Sequence, residues 1–301
     1  MIASLSLPGL RHDVPLAPLT TYRIGGPADL FVAVQSTDAL VDAVLAARDA
    51  GVPYFLLGTG ANILVGDRGF RGLVIHNRAN HVRIDGTRLT ADSGATIADL
   101  IELTARHGLS GLEHFAGIPS SVGGAIWQNL HFLAPDRIET LFIERVVESA
   151  EILDATNVRR TVDRDFFRFG YDDSRLHHEE IIVLEVTFAL ERKPTTAIRA
   201  QAAANLQWRA ERQPSVAEFP SCGSVFKKIA GVGAGRLIDQ AGLKGYRIGD
   251  AQISPRHANF FVNLGNATAR DVLALATLAR EEVRRQFGYE LEMEIGLVGE
   301  F

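Results

Sequence analysis

The sequence predicts a mixed α+β fold in two successive regions. Three features predict it: helical-period and strand-like segments take turns along the chain, glycines gather in the loops between them, and the character changes near residue 192. The 301 residues leave room for roughly two domains. With 47% hydrophobic and 22% charged residues the chain can bury substantial cores, and a folded rather than a disordered chain is expected.

In chain order, DLFVAV (29–34) reads as a strand. DALVDAVLAARDAG (38–51) places Leu40, Val44 and Ala47 at helical spacing, with Gly51 as the stop. YFLLG (54–58) is a strand running into GTGAN, and short strands follow at LVI (73–75), HVRID and RLTADSG (81–94). TIADLIELTARHGLSG repeats the pattern of helix then glycine, with Thr96 as N-cap. Residues 144–190 are strand-rich, ending in IIVLEVTFAL with partial alternation. The order suggests repeated β-α-β pieces. After ERKPT (191–195), TTAIRAQAAANLQWRAERQ is helix-compatible up to Pro214. In ATARDVLALATLAREEVRRQFG, residues Val272, Ala276, Ala279, Val283 and Phe287 share one helical face that stops at Gly288. The last stretch, YELEMEIGLV, alternates strictly and predicts a strand with Leu291, Met293, Ile295 and Leu297 on one face and Glu290, Glu292 and Glu294 on the other.

Composition removes several function classes. A formal net charge of −5 argues against a protein that grips nucleic acid or an anionic membrane. The single cysteine, Cys222, rules out an internal disulfide framework and a Cys-rich zinc site. No apolar run reaches the ~18 residues of a membrane span, and MIASLSLPGLRHD lacks the charged and apolar parts of a secretory signal. A cytoplasmic protein without membrane insertion is expected.

The glycine clusters fall in RIGGPADLF (23–31), LLGTGANILVGDRGFRGLVI (56–75), AGIPSSVGGAIWQN (116–129), SCGSVF (221–226) and GVGAGRLIDQAGLKGYRIGD (231–250). Glycine allows a ligand to approach the main chain closely, so several such loops suggest an extended ligand, although each alone is also ordinary turn chemistry. GTGAN lacks the third glycine and the downstream acid of a Rossmann fingerprint. A Walker loop, an HExxH pair and a GxSxG elbow are all missing. The adjacent His177 and His178 lack metal-ligand spacing, and no metal is expected. Ser224 in PSCGSVF has no histidine beside it in sequence, so it reads as a strand residue or as a proton donor tuned by a charged neighbour. Glu294, which shares a strand face with Glu292, is the other candidate, its plain reading a solvated edge.

Taken together, TTYRIGGPADLFV, LLGTGANILVGDRGFRGLVI, SGLEHFAGIPSSVGGAIWQN, PSCGSVFK, GAGRLIDQAGLKGYRIGDAQISPRHANFFVN and FGYELEMEIGLVGE resemble, in order, the UDP-N-acetylenolpyruvoylglucosamine reductase (MurB) family, flavoenzymes of peptidoglycan precursor synthesis. The matching pieces span residues 20–300. The resemblance implies a vanillyl-alcohol-oxidase-type (PCMH-like) FAD-binding region over 1–191, in two subdomains split near 80, and an α+β substrate domain over 192–301. It implies non-covalent FAD held by Gly58, Thr59, Gly60, Ala61, Asn62, Gly117, Ile118, Pro119, Ser121, Gly123 and Gly124. NADPH and a UDP-sugar are the implied partners, with hydride passing through flavin to the enolpyruvyl methylene carbon and a proton then reaching the adjacent carbon. Ser224 matches the family's proton donor and Glu294 its acidic residue near the carboxy terminus. Lys227, Arg256 and Asn259 fall in the matched substrate-domain motifs.

Two stretches depart from the family. Its Tyr-Arg-x-Ser segment, whose arginine helps stabilise the enolate, is here Tyr171-Asp172-Asp173-Ser174. Asp172 is expected either to point to solvent or to be compensated by a nearby cation, with Arg175 the first candidate and Lys227 and Arg256 behind it. After Gln128-Asn129, the family's glycine- and tyrosine-containing turn is replaced by LHFLAPDRIETLFIERVVES. These departures keep two other readings open: a flavoenzyme of the same fold acting on a different enol ether or alcohol, and a flavin-binding protein without turnover.

Overall fold

The computed structural model describes residues 5–229 and 231–301; residues 1–4, the start of the stretch read above for a signal, lie outside it, as does residue 230. By contact the chain forms two compact units, one from residues 1–10, 32–59 and 75–209 and one from 11–31, 60–74 and 210–301. The expected division at 191/192 follows a change of character along the chain, and the split near 80 is what the family resemblance implies. Contact instead keeps residues up to Arg209 with the first unit and returns two early segments to the second.

The first unit is built on a five-stranded sheet in the order Arg159–Asp163, Val147–Leu153, Ile182–Ala189, Arg88–Asp92, Val82–Asp85. Every pairing in it is antiparallel, so the expected β-α-β pieces do not assemble into a parallel sheet here. The predicted helices form at α1 (Thr37–Asp49), capped by Ser36 and followed by Gly51 at φ +61°, and α2 (Ile97–Arg106), where Thr96 Oγ1 accepts from Asp99 N. Ile97, Leu100 and Ile101 of α2 pack with sheet residues Leu89, Ala91, Ile152, Val186 and Phe188 in one core. A short helix, α3 (Val122–Gln128), and α4 (Thr195–Arg212) complete the helices of this unit and its edge.

The second unit carries α5 (Ala234–Gln240), α6 (Ala269–Phe287) and a three-stranded antiparallel sheet of Arg247–Ile248, Ala251–Ile253 and Phe261–Asn263. α6 begins with a capping box between Thr268 and Asp271, and Asp67 accepts from Ala269 N and Arg270 N, which answers further amides of its first turn. Val272, Ala276, Ala279 and Val283 are buried as predicted, whereas Phe287 at the helix end is exposed.

The strictly alternating final strand is not formed as such. Residues 290–295 make only an isolated bridge, Phe226 with Met293, and the regular strand is Gly296–Val298, parallel to Ile63–Val65. A bend at Ile295 breaks the two-residue period, so Ile295 and Val298 are buried while Leu297 is half exposed. Val298 O accepts from Gly66 N (2.9 Å) and Gly69 O from Glu300 N (2.8 Å). A side chain at Gly66 or Gly299 would strike backbone across this seam, which is why glycine stands at both.

Candidate active site

The loop after strand Tyr54–Leu57 has the character of an anion cradle. Among the described residues, the N–H groups of Thr59, Gly60, Ala61 and Asn62 have no hydrogen-bond acceptor within the protein, so successive amides are open to a ligand. Gly60 has φ +62°, and a Cβ there would lie 2.5 Å from Leu19 O; Gly58 faces the Ser121 hydroxyl closely enough that a Cβ would collide with it. Backbone that tolerates no side chain and offers several amides suits a diphosphate. These residues fit FAD.

The second expected loop contributes differently. The N–H groups of Val122 and Gly123 are taken by Ala95 O and Ser93 O, and Gly124 N donates to Ser121 Oγ at 3.2 Å. Gly123 sits against Ser93 and Gly117 at φ +85° against Arg209 and Leu206, while among the described residues the N–H groups of Gly117, Ser120 and Ser121 have no acceptor within the protein, so this loop combines close approach with a few open amides. Ile118 N is bonded to Phe115 O, while Pro119 has no N–H to offer. Arg209, which the sequence did not single out, lies over the Phe132 ring at 5.5 Å, and burial lowers its pKa to about 10, which leaves it cationic at neutral pH. Its only sequence signal is a charge in an otherwise amphipathic helix.

The second unit brings Ser224 and Glu294 together from segments 70 residues apart. Ser224 bridges Phe260, and Glu294 N donates to Val225 O at 2.8 Å. Both residues are half-buried. Asn62 Nδ2 donates to Glu294 O at 3.3 Å, so the side chain expected on the cofactor also ties the cradle loop to the Glu294 segment. Next to them, burial and secondarily the Glu294 charge push the Cys222 thiol well up, leaving it un-ionised.

Asn259 is buried and uses both ends of its amide on one residue: Nδ2 donates to Phe226 O (2.8 Å) and Oδ1 accepts from Phe226 N (3.0 Å). Its geometry is that of a clamp on the Ser224 strand. Lys227 pairs with Glu292, and Arg256 Nη1 donates to Ala210 O at 2.8 Å and more distantly to Gln213 O. Arg175, the first candidate for the missing cation, is held by Glu179 (Nε to Oε1, 2.7 Å) and lies 4.3 Å over the Phe166 ring.

Asp172 does not point to solvent. It is 3% exposed and adopts a left-handed backbone (φ +51°), and its Oδ1 lies 3.4 Å from Nδ1 of His131. His131 stands in the replaced stretch after Asn129, and sequence reasoning passed over it because 41 residues separate it from Asp172. His131 to Asp172 joins the two departing segments, and two links bind their flanks: Asn129 Nδ2 to Gly170 O (2.9 Å) and Ser174 Oγ to Trp127 O (2.8 Å). Of the adjacent pair, His177 stacks on Trp127 at 4.3 Å and His178 reaches Asp173 at 3.0 Å.

Comparison with known proteins agrees with this layout. A profile described as an FAD binding domain matches residues 28–158, and one described as UDP-N-acetylenolpyruvoylglucosamine reductase, C-terminal domain, matches 213–298. The UDP-N-acetylenolpyruvoylglucosamine reductase of Moorella thermoacetica is 41% identical over 287 residues, covering 95% of this chain and 92% of its own; that of Halalkalibacterium halodurans is 36% identical over 301 residues, covering 99% and 97%. The crystal structure of UDP-N-acetylenolpyruvylglucosamine reductase (MurB) from Thermus caldophilus superposes with a TM-score of 0.80 at 34% identity, covering 96% of this chain and 99% of that one. The α+β architecture is that of an FAD-binding region with a MurB-type carboxy-terminal domain. On these grounds the chain belongs to the UDP-N-acetylenolpyruvoylglucosamine reductase family.

Proposed function

We propose that this chain reduces the enolpyruvyl ether of a UDP-N-acetylglucosamine to UDP-N-acetylmuramate, with NADPH as donor, in peptidoglycan precursor synthesis. The observation that carries this reading is the open amide run of Thr59–Asn62, tied through Asn62 to the segment of Glu294, which in turn pairs with that of Ser224. The Thr59–Asn62 amides would hold FAD, which would supply hydride transfer between NADPH and the enolpyruvyl methylene carbon. Ser224 then gives its hydroxyl proton to the adjacent carbon, completing the addition of two hydrogens across the double bond. Glu294 supplies the charge that keeps the proton relay poised, while Asn259 holds the Ser224 strand in place. Lys227 and Arg256 stand in the substrate domain as candidate contacts to the anionic sugar nucleotide.

The flavin is held without a covalent bond, since the one thiol is buried and un-ionised and so a poor nucleophile. Acid precipitation is expected to leave yellow colour in the supernatant; colour in the pellet overturns that assignment. No described helix is long and apolar enough to cross a membrane, which agrees with work in the cytoplasm on a nucleotide-linked precursor. Anaerobic mixing tests the reaction: NADPH should bleach the flavin and the enolpyruvyl sugar should restore it. Bleaching without recovery favours the second reading, a different enol ether or alcohol, for which the carboxylate at Asp172 is the specific ground.

A further inference from the structure

A charge taken out of water without a counter-charge is costly, and the first unit gathers two such guanidinium groups on one aromatic ring. Arg137 lies 5.7 Å from the centre of the Phe132 ring and Arg209 lies 5.5 Å from it. Arg137 also lies 5.6 Å from the Trp208 ring, which meets Phe132 edge to face at 5.5 Å. Among the described residues neither guanidinium has a hydrogen-bond acceptor or an acidic partner. Gly117, Phe132, Arg137, Trp208 and Arg209 all belong to the first unit.

The acids of the region are already engaged. Asp136 Oδ1 accepts from Ile138 N (2.9 Å) and Glu139 N (3.3 Å) in the turn that carries Arg137. Glu113, whose charge acts with those of Lys193 and Arg137 on His114, accepts from Ser110 Oγ and from Gly111 N at 2.6 Å. Burial alone lowers the pKa of Arg209, with no carboxylate acting against it, and Nη1 of Arg137 is fully buried. An aromatic face attracts these cations without neutralising them. Beside Arg209 stands Gly117, at φ +85°, where a Cβ would lie 3.0 Å from Arg209 Cδ and 3.1 Å from its Nε. The Gly117 N–H has no acceptor within the protein, so an open amide adjoins an unpaired guanidinium. Arg137 is held on the other side by its tight turn, with its N donating to Ala134 O at 2.8 Å and its φ at +62°.

We infer that Arg137, Arg209 and the Gly117 amide form an anion site within the first unit that binds a phosphate group of a nucleotide cofactor. Guanidinium forks and a backbone N–H are the donors that phosphate oxygens accept from, and the anion supplies the counter-charge that the protein withholds. Two cofactors of the proposed reaction carry such a group: the diphosphate of FAD and the 2′-phosphate of NADPH. The stretch 28–158, matched by the FAD binding profile, holds Gly117, Phe132 and Arg137. Arg137 stands in the segment that replaces the family's turn after Asn129, so its share of the site belongs to this chain. The site binds and makes or breaks no bond. Its flavin arm needs only flavin binding, whereas its NADPH arm rests on the proposed reaction.

Arg137→Gln and Arg209→Gln, each removing one charge, test the site on the flavin-loaded protein through two measurements. One is the flavin released at equilibrium on dilution, read by its fluorescence. The other is the KM for NADPH against that for NADH in flavin reduction, with FAD in excess. If the site holds the diphosphate, each variant should raise the flavin dissociation constant at least about 10-fold and leave the ratio of the two KM values within about threefold. If it holds the 2′-phosphate, flavin retention should stay within about threefold while the KM for NADPH alone rises at least about 10-fold. Either result, or both, supports the site and identifies the phosphate. Flavin retention within about threefold, with NADPH and NADH affected alike or not at all, overturns it; a fall in thermal midpoint alone would then make the two arginines packing residues. A parent protein that NADPH does not reduce counts against the proposed reaction, and flavin release then decides the site by itself. Should Arg209→Gln fail to fold, Arg137→Gln on its hairpin turn decides: no change in either measurement overturns the assignment.

Discussion

Two histidines of this chain sit in opposite settings. In the second unit, His257 belongs to the turn that leads to Phe260, the bridge partner of Ser224, and its Nδ1 accepts from Asn259 N at 3.2 Å. Burial, and after it the charge of Lys244, hold its pKa below the ordinary histidine value. In the first unit, His131 faces the buried carboxylate of Asp172. One imidazole is kept neutral as an acceptor in a region that matches the family, and the other has an acidic partner in a region that does not. The same side chain is thus a backbone acceptor in one place and the neighbour of a buried acid in the other.

The largest effect that sharpens this contrast is expected at Ser224. Ser224→Ala should cut reoxidation of the flavin by the enolpyruvyl sugar by about 10²–10⁴-fold, the range of a well-placed general acid, with reduction by NADPH nearly intact. Equal slowing of both half-reactions would make Ser224 a structural residue and remove the chemistry from the family-matching region.

Next comes the clamp. Asn259→Ala strands both Phe226 backbone groups in a buried site, at about 1–3 kcal/mol each, so the thermal midpoint should fall steeply. A midpoint close to that of the parent would show that Phe226 does not depend on the clamp.

How much of this was legible in the sequence varies with the range of the interactions. The helices 37–49, 97–106 and 269–287 were readable because period, cap and glycine stop are all local: Thr96, Thr268 and Gly288 do what their residue types predict. The final strand was misread because Gly296 and the bend at Ile295 answer to a partner, Ile63–Val65, over 200 residues earlier. Ser224 and Glu294 were legible only through family resemblance. His131 was not legible at all, because nothing local marks a histidine whose significance depends on an aspartate 41 positions on.

The smallest effect concerns pH. Because the folded-state pKa of His257 lies below that of the unfolded chain, the unfolded state binds more protons between the two values. Its contribution is therefore complete above about pH 6.5 and lost as pH falls toward the folded value. His76 and His114, also lowered by burial, act in the same direction, so the measurement is a difference. Thermal midpoints from pH 7.5 to 5 should fall less for His257→Gln than for the parent. Identical slopes would show that His257 is not held neutral.

The seam between Gly296–Glu300 and residues 63–69 also sets an order of events during synthesis. Strand Ile63–Val65 leaves the ribosome more than 200 residues before the strand that pairs with it, a delay of about 10–50 s at ~5–20 residues per second. Through that interval Leu64, which is completely buried in the finished unit, lacks its neighbour. The first unit needs nothing beyond residue 209 and can mature meanwhile, whereas the second remains open until its last strand arrives. The nascent chain should therefore be most vulnerable to chaperone capture or proteolysis around residues 60–74, and a version ending before Gly296 should keep that vulnerability permanently.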